Sequence, residues 1–127
     1  MAGTVVASTI NNDTGLFSTQ NAYLGIAKAW VQFAGASGTI NGSFNVSSVT
    51  YISLGVWSVN FTTAMPNANY AAVLGSTDVQ SNSTLNFMNI QSTNLPTTTA
   101  CRMQCTPSGG GNGLANPTQV HCTIFSS

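Results

Sequence analysis

SFNVSSVTYISLGVWSVNFTTAMPNANY, residues Ser43 to Tyr70, decides the fold class. Within it Trp57, Val59 and Phe61 alternate with Ser58, Asn60 and Thr62, the period of two that turns one strand face to a core and the other to water. A helix would scatter these residues around its circumference. The alternation stops at Ala64, Met65, Pro66, Asn67, because proline lacks the N–H that a ladder needs and Pro-Asn favours a turn. A third run, Asn69 to Ser76, sets Tyr70, Ala72 and Leu74 on one face. The unit reads as a β-meander that needs partners to bury its Trp and Phe.

Upstream, Phe44 and Val46 share one parity while Val49 and Tyr51 share the other. The slip at Ser47 and Ser48 predicts a bulge, or a bend where the chain crosses between sheets. Ala34 to Gly42, AGASGTING, is turn chemistry, with Asn41-Gly42 as its hairpin signal. Before it, YLGIAKAWVQFAG from Tyr23 puts Ala27, Ala29, Val31 and Phe33 on an apolar, buried face, opposite Ile26, Lys28, Trp30 and Gln32. Ala, Lys and Leu favour a helix here, but Gly25, Gly35 and the β-rich surroundings decide for a strand. Trp30 is then an exposed aromatic, with the Lys28 stem free to lie along its ring.

Downstream, Asp78 to Ser83 is a polar loop. Leu85 to Ile90, LNFMNI, is apolar on both parities and reads as a strand near the centre of a sheet. Thr98 to Thr106 is the next strand, and Pro107 to Gly113 the longest flexible segment. Gln119 to Ser126 closes the chain, with Val120, Cys122 and Ile124 on one face and Phe125 on the other. About seven strands separated by turn signals predict an all-β fold, a small antiparallel β-sandwich. Residues 25–127 form that sandwich, preceded by residues 1–24 as an N-terminal arm or edge strand. Met1 to Thr19 has neither the basic nor the apolar region of a signal peptide.

The 127 residues suit one domain with a real core. Only 3% of them are charged, namely Asp13, Lys28, Asp78 and Arg102, and the net charge is zero, where a soluble domain carries about a quarter. Two basic residues far apart supply no phosphate-binding stripe, so no nucleic-acid partner is expected. No membrane insertion is expected either, since no apolar run approaches the roughly 20 residues of a spanning helix. A chain without net charge lacks the repulsion that keeps copies apart. Either it belongs to a larger assembly, or a coat of hydroxyls and amides keeps it wet.

Chemistry-bearing groups are few. Cys101, Cys105 and Cys122 are odd in number, and Cys101 and Cys105 share a strand face about 13 Å apart, too far for a bridge. A link from either to Cys122 is geometrically open, but three small buried hydrophobes is the simpler reading. His121 points to the opposite strand face from Cys122, so no metal site is expected, nor any cofactor. A Ser-His-Asp triad drawn from His121 with Asp13 or Asp78 has no G-x-S-x-G elbow to accompany it, so no catalytic residue is expected. Gly109 to Gly111 is not followed by GK[ST], which argues against a phosphate loop. The Asn-x-Ser/Thr triplets at Asn12, Asn41, Asn45, Asn60 and Asn82 are expected by chance in so Asn-, Ser- and Thr-rich a chain.

GIAKAWVQF at Gly25 to Phe33, SFNVSSVT at Ser43 to Thr50 and WSVNFTTAMPNANYA at Trp57 to Ala71 resemble, as an ordered series, the C-terminal tip domains of tailed-phage tail fibre and receptor-binding proteins of cyanophage or marine phage type. The final VHCTIF resembles the closing strand of that family. The resemblance implies a non-enzymatic bacteriophage virion protein, a homotrimer at a fibre tip that mediates host attachment. Its partners are then further copies of itself, other tail or capsid proteins, and a host surface glycan or protein. Such proteins carry a long shaft before this domain, so the chain is expected to be a stand-alone knob or a tip cut from a longer fibre. Loops at a tip usually carry ligand contact, which makes Asn112, Asn116 and the ring of Tyr51 the receptor-contact candidates, as amides and aromatics bind sugar hydroxyls and faces. Trp30 is the candidate subunit anchor. A capsid-decorating or tail-assembly protein without a receptor, or a free carbohydrate-binding module, are the alternatives.

Overall fold

A computed structural model describes residues 3, 6–7, 9–12, 15–18, 23–77, 85–108 and 113–127. Among the described residues ten strands follow one another: β1 (Thr9–Asn12), β2 (Gly15–Ser18), β3 (Ala29–Ala34), β4 (Ile40–Phe44), β5 (Val46–Ser53), β6 (Val56–Phe61), β7 (Ala71–Thr77), β8 (Asn86–Ile90), β9 (Ala100–Pro107) and β10 (Gln119–Phe125). Eight of them build two antiparallel four-stranded sheets, in the orders β4-β3-β10-β7 and β5-β6-β9-β8. β1 and β2 pair with each other and with neither sheet.

The inward parity of each strand supplies the core between the sheets. One sheet contributes Ala29, Val31, Phe33, Val120, Cys122 and Ile124, and the other Trp57, Val59, Phe61, Cys101, Met103 and Cys105. Trp57 is fully buried; its ring meets Phe33 edge-on at 5.8 Å and its Nε1 donates to the Gly35 carbonyl at 2.8 Å. That hydrogen bond satisfies the one polar atom a buried indole carries, and it ties the second sheet to the β3–β4 turn of the first.

The chain changes sheets at Asn45, which has a φ of 54°. Its Nδ2 donates to the carbonyls of Lys28 and Thr63, and its Oδ1 accepts from the Thr63 N–H. Asparagine tolerates the left-handed region because its side chain can hydrogen-bond locally. The bulge foreseen nearby lies between Val46 and Ser48.

Five details depart from the sequence reading. Asn41-Gly42 lies inside β4, and the hairpin turns instead at residues 35–38, closed by hydrogen bonds between Ala34 and both Thr39 and Gly38. Gly42 is small for another reason: the Trp30 ring lies over it, within 3.4 Å of where a Cβ would stand. β5 and β6 form a hairpin through Gly55, but β7 crosses to the other sheet beside β10, so the third run does not complete a meander. β8 is an edge strand rather than a central one, and its outward Phe87 stays exposed. Tyr23–Gly25 takes a helical turn before β3 starts at Ala29. There Lys28 Nζ sits 3.2 Å above the centre of the Tyr23 ring, and not along Trp30.

Candidate functional site

Of the proposed contact residues, Tyr51 and Asn116 come together. Asn116 Nδ2 donates to the Tyr51 hydroxyl at 3.1 Å, and its Oδ1 accepts from the Gly55 N–H at 2.7 Å. Gly55 has a φ of +66°, and a Cβ there would press to 2.7 Å from Leu114. The segment before β10 therefore leans on the β5–β6 turn, with Asn116 as the clasp. Both polar ends of that amide are engaged in holding the loop, which leaves the Tyr51 ring as the open part of the pair. Asn112 lies outside the described residues, as do Asp13, Asp78 and Gly109 to Gly111.

The outer faces of the two sheets differ in kind. Across β4, β3, β10 and β7 the register aligns Phe44, Trp30, Thr123 and Val73 in one row. Phe44 is 55% exposed, Trp30 43% and Val73 61%, so three large apolar side chains lie open on one surface. A neighbouring row holds Gly42, Gln32, His121 and Gly75, with His121 Nε2 3.1 Å from Thr77 Oγ1.

Across the opposite face β5, β6 and β9 present Ser48, Thr50, Ser58, Asn60, Arg102 and Gln104 outward. Asn60 Nδ2 donates to Ser48 Oγ and Thr50 Oγ1 at 2.9 and 3.0 Å. The rows are hydroxyls and amides that bond one another across strands.

Two surface cavities flank these faces. One, of about 370 Å³, lies where the β4–β5 crossing meets the loop after β6, and is lined mainly by apolar groups including Tyr23, Ile26, Phe44 and Met65. Its cation, Lys28, is already engaged with the Tyr23 ring and carbonyl. The other, of about 330 Å³, opens on the hydroxyl-rich face and is lined by Ser58, Asn94, Leu95, Thr97, Ala100 and Arg102. The sequence reading treats Arg102 only as one of four charges; the signal that singles it out is parity, since Cys101 and Met103 on either side of it are fully buried.

Inside the core, Cys101 of β9 and Cys122 of β10 are buried on the inner faces of the two sheets. All three cysteines are buried free thiols. The neighbouring Cys101 side chain, and then burial, push the Cys122 thiol far above its ordinary value. Burial, with Cys101 beside it, likewise raises the Tyr70 hydroxyl, which donates to the carbonyls of Thr97 and Ala100. The Cys122 thiol and the Tyr70 hydroxyl thus stay protonated and act as packing. Among the described residues no three His, Cys, Asp or Glu side chains gather in a metal-binding group. No family model, curated protein or solved structure matches this chain.

Proposed function

We propose that this chain is a virion-surface adhesion domain, a non-enzymatic tip of a homotrimeric bacteriophage tail fibre that attaches the particle to its host. The single observation that carries this reading is the contrast between the outer faces: Phe44, Trp30 and Val73 lie open in one row on one sheet, while the other, apart from Phe87 on its edge strand β8, is coated in hydroxyls and amides. An apolar row with no charge in it suits further copies of the same sparsely charged chain, because packing the rows together desolvates no ion and brings no like charges close. The indole of Trp30 is then the central anchor of each contact. The polar face remains outward, where hydroxyls and amides meet hydrated host material without the long-range fields of a charged surface. The ordered likeness of Gly25 to Ala71 to tail-fibre tips supports the same reading; in this fold those residues make β3, the Asn45 crossing, β6 and the loop that follows it.

Sedimentation equilibrium on the purified chain tests the assembly, with a trimer expected at micromolar concentration; a persistent monomer overturns it. Adsorption assays test the role. The added domain is expected to bind host cells and to slow attachment of the particle, whereas unbound domain with unchanged attachment favours a decorating protein.

A further inference from the structure

The cavity beside Arg102 is open, polar and built around a cation that no described residue neutralises. Arg102 projects from β9 on the outward parity, opposite Ser58 of β6. Its guanidinium forms no hydrogen bond or ion pair with any described residue. The other basic side chain of the protein, Lys28, donates to the Tyr23 carbonyl and lies over the Tyr23 ring. In a chain with two cations, the uncommitted one thus sits in a concave site.

The cavity walls are fixed before any ligand arrives. Thr97 N–H donates to the Ala100 carbonyl at 2.9 Å, Thr97 Oγ1 accepts from the Ala100 N–H at 3.0 Å, and the Tyr70 hydroxyl ties down both carbonyls from beneath. On the far side Asn94 Nδ2 donates to Gln91 Oε1 and Thr93 Oγ1, and the Asn94 N–H to the Gln91 carbonyl. The loop between β8 and β9 is therefore a rim braced through its own backbone. Such bracing lowers the ordering cost that binding would otherwise carry.

We propose that this cavity binds a carboxylate-bearing sugar unit, a uronic acid of an acidic polysaccharide, with Arg102 as the anion-binding residue. The guanidinium offers five N–H donors in a planar fork that matches a carboxylate two bonds at a time. One arginine balances one negative charge, which fits a monoanionic carboxylate better than the nearly dianionic phosphate monoester. With the Asn94 Nδ2 committed to the rim and the Ser58 Oγ–H to Asn60, the amide oxygen of Asn94 and the hydroxyl oxygen of Ser58 are the acceptors for sugar hydroxyls, and Leu95, 73% exposed at the edge, offers an apolar surface for the C–H face of a pyranose. The volume of about 330 Å³ falls within the roughly 300–1,000 Å³ of small-molecule sites. The inference rests on the host-attachment reading and narrows it to a ligand class and a site.

The test is isothermal titration and saturation-transfer NMR on the full chain with oligogalacturonate, a neutral oligosaccharide of matched length and galactose 6-phosphate. Oligogalacturonate is expected to bind saturably and to weaken as salt is added, with the neutral sugar at least about tenfold weaker, as befits the loss of hydrogen bonds to a charged group. Arg102→Gln is expected to remove that preference. Arg102→Lys, which keeps the charge and loses the fork, should fall between the two, and Lys28→Gln should bind like the parent chain. Equal binding of the neutral sugar, tighter binding of the sugar phosphate, or unchanged binding by Arg102→Gln overturns the proposal. If the domain attaches to cells but uronates neither bind nor compete, the site falls and the attachment role stands. Uronate binding without attachment to cells leaves the site and removes the role.

Discussion

The two outer faces of this sandwich are made from strands of similar length with the same alternation, yet one carries a row of Phe44, Trp30 and Val73 where the other carries Ser48, Thr50, Ser58, Asn60 and Arg102, with Phe87 alone on its edge strand. The inner faces show no such difference: both are lined by aliphatic, aromatic and thiol side chains. Inner positions answer to packing density, which each sheet must satisfy against the other. Outer positions answer to whatever lies beyond the molecule. The contrast between them is therefore a record of two different surroundings, and it is the best guide this fold offers to what each side meets.

Removing the part both sheets share breaks that comparison most severely. Trp57→Ala deletes the largest fully buried side chain and is expected to cost about 3–5 kcal/mol. It also strips the Gly35 carbonyl of its donor, a further loss of about 1 kcal/mol. Urea unfolding of the variant measures it, and a cost below about 1 kcal/mol would show that the two sheets do not pack through this residue. Gly35 joins the same junction, since a Cβ there would stand 2.0 Å from the Pro117 carbonyl oxygen.

Exchanging the character of the faces gives the next effect in size. Trp30→Lys places a charge in the apolar row and is expected to weaken self-association by at least about tenfold, or 1.4 kcal/mol. Unfolding of the dissociated chain should change by no more than about 0.5 kcal/mol, as the site is half exposed. Asn89→Lys puts the same charge on the hydroxyl-rich side, from an exposed position on β8, and should leave association unchanged. Sedimentation of the pair decides: equal shifts would mean that assembly does not read the difference between faces.

Much of the sandwich was legible because period two survives wherever a strand has one wet side. Trp57, Val59, Phe61, Val120, Cys122 and Ile124 face inward as their spacing requires, and the slip at Ser47 and Ser48 marked the crossing between sheets within a few residues. Local signals misled where a side chain answered to a distant neighbour. Asn41-Gly42 looked like a turn because the need for a small residue beneath the Trp30 ring leaves no mark in sequence. Leu85 to Ile90 looked central because Phe87 is apolar, although β8 pairs on one side only. The return of β7 to the other sheet depends on pairing with β10, some 50 residues later, which no local window contains. For the sites, Tyr51 and Asn116 were found together, but their polar atoms hold the fold. The Arg102 cavity was not legible, because its rim comes from a loop whose shape rests on backbone hydrogen bonds.

The smallest expected effect sharpens the comparison from the polar side. Asn60 is partly exposed on β6, and its amide reaches two hydroxyls of β5. Asn60→Ala removes both bonds and the one its Oδ1 accepts from Ser58 Oγ at 3.3 Å, but Ser48 and Thr50 lie in water, which replaces what they lose. The β5–β6 ladder through Val49↔Val59 and Tyr51↔Trp57 stays whole. A cost of about 0.5–1 kcal/mol in urea unfolding follows, with self-association unmoved. Should this substitution instead cost as much as Trp57→Ala, the hydroxyl-and-amide rows would be holding the sheet together, and their polarity could no longer be read as the mark of a face turned to water.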